Sequence, residues 1–203
     1  MQASLPTIIL SAACIALNVA VGTLVYLLKL PFYLDSAGIV LAAILVPGKR
    51  SDACLFASIV GVISFIIFGV LVSPFQPWFI GTAVAGALYG ALVVRGRIDD
   101  LISGDRFLTL RNSGKTILLG VGWGIVAATV SAPIVVYLFG GVTGAGTTLL
   151  FAFLVKMGHQ MLGAALLTGF SAEPFDKTVS LILAIYAVRF TPPSFIEMLK
   201  GSK

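Results

Sequence analysis

Two stretches of this chain are apolar and free of charge over lengths that match or exceed the thickness of a membrane. Residues 3–28 contain no charged side chain, and residues 53–94 contain none over a length sufficient for two crossings. A transmembrane helix needs about 20 consecutive, predominantly apolar residues. The whole chain is 59% apolar and 10% charged, whereas soluble domains carry about 45–50% and about 25%. The sequence therefore predicts one integral membrane domain over residues 1–203, an all-α polytopic membrane helical bundle.

Shorter apolar runs lie between and after these two stretches. Residues 36–47 supply only about 12 residues, so a helix there must be tilted, surrounded by thinned lipid, or shielded by neighbouring helices. Residues 116–139 predict a further crossing, and the glycine-rich residues 140–146 predict the connector that ends it. A final apolar run covers residues 178–190.

The C-terminal third allows two interpretations. Residues 147–172 are apolar except for a polar group near their middle, and the charged segment 173–177 predicts a connector, which is external if residues 147–172 are re-entrant. In one interpretation residues 147–172 form a re-entrant segment that breaks near Gly158, which gives six transmembrane helices. In the other they cross fully, which gives seven. We favour the re-entrant segment, because it keeps the basic tail with Lys200 on the cytoplasmic side.

The charges of the connectors predict the orientation of the bundle. Connector 48–52 holds two basic residues and connector 95–115 holds five, whereas connectors 29–35, 73–77 and 139–146 together hold Lys29 alone. Basic residues are enriched in cytoplasmic loops. The sequence therefore predicts that the N-terminus and the two basic connectors are cytoplasmic, and that the other three connectors face outside.

Several classes of function find no support in the sequence. The net charge of +5 does not indicate a nucleic-acid partner, because the basic residues lie in connectors without an aromatic-basic motif. Lys115 belongs to a Ser-Gly-Lys-Thr run, 113–116, that resembles part of a phosphate-binding loop, but Thr109 occupies the position of the required upstream glycine. Cys14 and Cys54 lie in apolar runs and predict no metal site. A lone His159 does not support hydrolytic catalysis, so we expect neither an enzyme nor a cofactor.

Small residues repeat at a spacing of four on the first predicted helix. Ala12, Ala16 and Ala20 share one helix face, and such faces allow close approach of another helix. The partner could be another helix of the same bundle or a second protein. Similar pairs at 86/90 and 120/124 predict packing within the bundle.

Aromatic and sparse polar residues are concentrated in the three connectors predicted to face outside. Trp and Tyr also form the ordinary aromatic belt at the membrane interface, but together these residues suit a pocket for a flat, partly polar molecule. Lys156 and His159 are further candidates, because ionisable groups at membrane depth are costly and are often functional. Alternatively, Lys156 extends to the interface and His159 bonds a carbonyl.

The sequence resembles the substrate-binding S component of an energy-coupling-factor (ECF) vitamin importer over essentially its whole length. The resemblance depends on the alanine repeat of the first helix, the Tyr-Leu-Asp-Ser-Ala-Gly run 33–38, Pro47-Gly48, and the segments 74–78, 132–144 and 173–177. It implies a bundle of about six helices in a prokaryotic cytoplasmic membrane. It also implies three partners, namely a transmembrane coupling subunit and two ATPases that power uptake of a vitamin or vitamin precursor.

The resemblance also implies roles for particular residues. The alanines at 12, 16 and 20 would contact the coupling subunit. The substrate would be held by residues of the external connectors and of the re-entrant segment: Tyr33, Asp35, Gln76, Trp78, Tyr137, Thr143, Lys156 and His159.

Three other classes of membrane protein are alternatives. A self-contained secondary transporter should show inverted repeats and intramembrane carboxylates, and the sequence places its acidic residues in connectors and the tail. An integral membrane enzyme should show a group of catalytic residues. In a purely structural membrane protein, the polar and aromatic external connectors would have no purpose.

Overall fold

The computed structural model describes residues 4–102 and 110–201, and within these residues it contains helices and no strand. The all-α helical bundle predicted from the sequence is therefore confirmed. Nine α-helices cover most of the described residues: α1 (Leu5–Leu27), α2 (Ala37–Leu45), α3 (Arg50–Leu71), α4 (Ile80–Tyr89), α5 (Ile98–Ile102), α6 (Leu110–Phe139), α7 (Thr147–Lys156), α8 (Met161–Phe190) and α9 (Pro193–Gly201).

Successive long helices run in opposite directions between two ends of the bundle. At one end, which we call the cavity end, connectors 28–36, 72–79 and 140–146 meet: the Lys29 ammonium donates to the Gly144 carbonyl at 3.2 Å, and the Phe75 and Phe139 rings lie 5.1 Å apart. At the other end, the basic end, the Arg95 guanidinium donates to the carbonyls of Ala43 and Gly48. The grouping of connectors predicted from alternating crossings is thus observed.

The short helix α2 is enclosed by protein. Residues 37–44 are all buried, in contact with α1, α3 and α8. Gly38 makes the closest approach, because a methyl group there would overlap the Cys14 carbonyl of α1. Asn18 joins its own helix, α1, to α2 and α3. Its side chain accepts from the Gly38 amide at 2.7 Å and donates to the Ser64 hydroxyl at 3.1 Å. Neighbouring helices therefore shield this short helix, which was one of the three options that the sequence left open.

Helices α6 and α8 make the most extensive contact between elements. Gly120 packs against Thr178, and Gly124 packs against Pro174, where any side chain would overlap the α8 backbone. Because glycine has no side chain, two helix backbones can approach closely at these positions. The glycine pair at 120 and 124 therefore packs within the bundle, as predicted.

The C-terminal third differs from both sequence interpretations. The chain breaks at residues 157–160, where Gly158 has φ +94°, and this agrees with the break expected near that residue. However, α8 then continues from Met161 to Phe190 through the segment predicted as an external connector. The prediction of a connector at 173–177 is wrong, because Pro174 is accommodated inside α8 by Gly124 and the charges beside it are buried.

Not every helix is long enough to cross a membrane. Within residues 4–102 and 110–201, four segments are long and apolar enough: 5–27, 50–71, 76–97 and 113–139. Helices α8 and α9 pass the same test only when they are taken together, and they meet at a 90° bend, as in a broken span or a re-entrant segment. The expected six spans are therefore not all of full length, because α2 covers only part of the bundle's height.

The small-residue face of α1 does not pack within the bundle. Ala12, Ala16 and Ala20 are all exposed, whereas the opposite face of α1 is buried through Cys14 and Asn18. Internal packing is thus excluded as the reason for this repeat. The exposed face is available to lipid or to another protein.

Candidate functional site

A cavity opens where the three connectors of the cavity end meet. The space between its lining atoms, with open solvent at its mouth included, is about 780 Å³. Helices α1, α3, α4, α6 and α8 supply its sides. Aromatic rings and a few polar groups line it: Gly22, Tyr26, Leu30, Phe32, Tyr33, Asp35, Phe68, Ser73, Phe75, Gln76, Phe79, Thr82, Ser131, Val135, Thr143, Ala145, Gly146, Glu173 and Lys177.

The floor of the cavity contains a buried group of charges around Lys177. The Lys177 ammonium lies 2.6 Å from an Asp176 carboxylate oxygen, 3.2 Å from Glu173 and 3.9 Å from Asp35. It also donates to the Ser36 hydroxyl at 2.9 Å and lies 5.6 Å from the centre of the Trp123 ring. Buried charges persist when they are paired and hydrogen-bonded. This group therefore joins α8 to the start of α2.

Asp176 holds the connector that precedes α2. One of its carboxylate oxygens accepts from the backbone amides of Tyr33 and Leu34 at 2.7 and 2.6 Å. Leu34 has φ +49°, a left-handed conformation that costs a residue with a side chain roughly 1–2 kcal/mol. Asp176 is fully buried and does not line the cavity. Its role is to fix the backbone that carries Tyr33 and Asp35.

Asp35 faces the cavity at the end of this connector. One carboxylate oxygen accepts from the Ser36 hydroxyl at 2.8 Å, and the other accepts from the Gln76 amide at 2.6 Å. Burial raises the pKa of the Asp35 carboxyl, and nearby Lys177 opposes that rise. Gln76 therefore links the connector after α3 to the floor of the cavity.

Glu173 and Thr168 are left with unused hydrogen-bonding capacity. Glu173 is 6% exposed and Thr168 is 7% exposed. The Oε2 atom of Glu173 and the hydroxyl of Thr168 have no hydrogen-bond partner, although Oε2 forms the 3.2 Å ion pair with Lys177. Both residues line a smaller cavity beside the main one, and Glu173 lines the two. Buried polar groups are normally satisfied, so these two require an explanation.

Half of the residues that the sequence nominated for substrate binding line the main cavity. They are Tyr33, Asp35, Gln76 and Thr143. The Tyr33 hydroxyl also bonds the Thr147 hydroxyl at 2.8 Å. Burial raises the pKa of Tyr33, so that its hydroxyl remains a neutral donor or acceptor.

The structure does not bring the other four nominated residues to either cavity. Trp78 and Tyr137 are 61% and 76% exposed, which suits the interfacial belt that was the alternative interpretation. Lys156 and His159 are exposed at the turn between α7 and α8. The polar residues in the middle of run 147–172 therefore lie at the turn between two helices, outside the cavities.

Sequence reasoning missed Glu173 and Lys177 as site residues, because a short run rich in charge after an apolar run resembles a connector. One local signal favoured a helix. Glu173 and Lys177 are four positions apart with the acid first, the spacing that brings opposite charges together on a helix face.

The comparisons with known proteins do not supply a relative. No protein-family model, no curated protein and no solved structure matches this chain. Within the described residues, no group of three His, Cys, Asp or Glu side chains is placed to hold a metal ion.

Proposed function

We propose that this chain is the S component of an ECF-type importer, a membrane protein that binds a vitamin-like solute and transfers it through a separate coupling subunit powered by two ATPases. The observation that carries the proposal is the cavity at one end of a helical bundle, lined by aromatic rings with a few polar groups on its floor. That composition is typical of sites for small molecules. Binding of this kind requires no chemical step, so the proposal does not include catalysis.

The exposed face of α1 supports the part of the proposal that concerns a partner. Ala12, Ala16 and Ala20 present a flat surface that no other helix of the chain covers within the described residues. Transmembrane helices associate through such small-residue faces. In this proposal the coupling subunit packs there, and release of the solute follows when the complex favours a conformation with weaker contacts.

The charge distribution supports an orientation with the cavity outside. The basic end carries Lys49, Arg50, Arg95 and Arg97, whereas the exposed basic residues of the cavity end are Lys29 and, at the turn between α7 and α8, Lys156, within the described residues. Since basic residues favour the cytoplasmic side, the solute would enter from the exterior of a prokaryotic cytoplasmic membrane.

Two experiments test the proposal. First, the purified protein is denatured and the small molecules released from it are identified by mass spectrometry; a vitamin or precursor bound in stoichiometric amount is expected. Second, Ala16→Trp should abolish uptake in cells while the purified protein still binds its solute. Leu118→Trp, at a side chain that is 73% exposed on α6, is the matched control and should change neither. Loss of binding in Ala16→Trp would contradict the docking role of this face.

A self-contained secondary transporter is a second candidate, favoured by one observation. Glu173 and Asp176 are buried within α8, and intramembrane carboxylates are typical of ion-coupled carriers. The sequence predicted both residues in a connector and for that reason counted against a secondary transporter. Concentrative uptake by the protein alone in liposomes under a proton gradient would favour the carrier and overturn the S component.

A further inference from the structure

The acidic groups on the floor of the cavity exceed the basic group that faces them. Three carboxylates surround Lys177 within 3.9 Å. The shortest contact, 2.6 Å, pairs the ammonium with Asp176, which does not line the cavity. The two acids that do line it, Asp35 and Glu173, are left with the longer contacts of 3.9 and 3.2 Å. Lys177 lines the cavity with them, so a solute meets two acids at the floor and one base whose shortest contact is with Asp176.

Two buried oxygens beside this floor have hydrogen-bonding capacity that the described residues do not use. Glu173 is 6% exposed, and its Oε2 atom has the Lys177 ammonium as an ion-pair partner at 3.2 Å and no further donor. The Thr168 hydroxyl, which is also unbonded and buried, lines the same smaller cavity. A carboxylate can only accept hydrogen bonds, and a hydroxyl can accept as well as donate. Both atoms are thus satisfied by a ligand that donates N–H groups.

The walls above the floor are aromatic. A cation over the face of an aromatic ring is attracted by the ring's quadrupole. The Lys29 ammonium at the rim lies 4.3 Å from the centre of the Tyr26 ring, and the Lys177 ammonium at the floor lies 5.6 Å from that of Trp123. Six rings line the main cavity: Tyr26, Phe32, Tyr33, Phe68, Phe75 and Phe79.

An anionic ligand would meet two carboxylates in a buried site, and like charges repel strongly at low dielectric. A cationic ligand pairs with these acids in their ionised form, whereas a neutral ligand offers them no counter-charge. Resting on the proposed function, we infer that the solute carries a positively charged nitrogen with N–H donors, such as an ammonium, amidinium or protonated amino-heterocycle. Glu173 contacts this nitrogen, and the aromatic walls enclose the ring that bears it.

Three probes of the same size and different charge test this inference: benzamidinium, benzamide and benzoate. The protein is studied in lipid nanodiscs in a Trp78→Phe background. Because the chain has two tryptophans, this change leaves Trp123, which lies next to Lys177, as the fluorescent reporter. Each probe is titrated to tens of millimolar, and the same titration is repeated on Glu173→Gln.

Benzamidinium should bind about tenfold or more tightly than benzamide, and benzoate should bind most weakly. Glu173→Gln should weaken benzamidinium about tenfold or more and leave benzamide unchanged. Glu197→Gln removes an acid from the exposed surface of α9 and is the matched control, with no effect expected. Circular dichroism of each variant establishes that it is folded.

The results separate failure of this inference from failure of the proposed function. Binding of benzamide or benzoate at least as tight as that of benzamidinium overturns the cationic ligand and leaves a solute-binding cavity in place. Equal effects of Glu173→Gln and Glu197→Gln overturn the role of Glu173. If none of the three probes binds, the result overturns this inference and also the proposal that the cavity binds ring compounds.

Discussion

Replacing Lys177 with Met removes the ammonium that three buried carboxylates share while keeping a side chain of similar length. In the native protein this ammonium lies 2.6 Å from Asp176 and 3.2 Å from Glu173. Removing one partner of a buried ion pair leaves an uncompensated charge and costs about 3–5 kcal/mol. For a domain of this size, 1 kcal/mol corresponds to about 2–4 °C in Tm. We therefore expect Lys177→Met to lower Tm by about 6–20 °C.

The assay is thermal unfolding of the purified protein in one detergent, followed by circular dichroism. Lys156→Met is the matched control, because the same change at the exposed end of α7 should shift Tm little. Asp176→Asn in the Lys177→Met background removes one of the unpaired charges. It should recover part of the loss, with a coupling of about 1 kcal/mol or more between the two sites. Equal Tm values for Lys177→Met and Lys156→Met would refute the assignment of Lys177 as the shared counter-ion.

Three further predictions concern the helix contacts and the cavity. Gly38→Ala should lower stability by about 1–3 kcal/mol or prevent folding, because its methyl group overlaps the Cys14 carbonyl; a thermal unfolding curve that coincides with wild type would contradict this packing. Gln76→Ala should weaken binding of the released solute about tenfold in calorimetry, because it removes the 2.6 Å donor to Asp35. His159→Ala should leave that affinity unchanged, and a loss of binding would show that the exposed turn takes part in recognition.

The sequence was sufficient to predict the parts of the fold that depend on local composition. The charge-free runs correspond to α1, α3 and α4. The short second helix was also predicted close to its observed position, as was the end of α6 at Phe139, before the glycine-rich connector. These features depend on apolar length and on turn residues.

The rest depends on contacts between residues far apart in the chain. The charges of α8 are tolerated in a helix because Asp176 bonds Tyr33 and Lys177 bonds Ser36, more than 140 positions away. No local sequence pattern indicates a bonding partner so far away. Pro174 also favoured a connector, because proline usually ends or kinks a helix. Lys156 and His159 lie outside the cavities for a related reason: the break expected near Gly158 is present, but it is an exposed turn between α7 and α8.

The shortness of α2 determines how much protein separates the floor of the cavity from the basic end. At 1.5 Å per residue, the nine residues of α2 cover about 14 Å, roughly half of a 30 Å hydrocarbon layer. The acidic floor lies at the Ala37 end of this helix. Under the proposed function, α2 and the helices packed against it, α1, α3 and α8, therefore form the barrier between a bound solute and the basic end of the bundle.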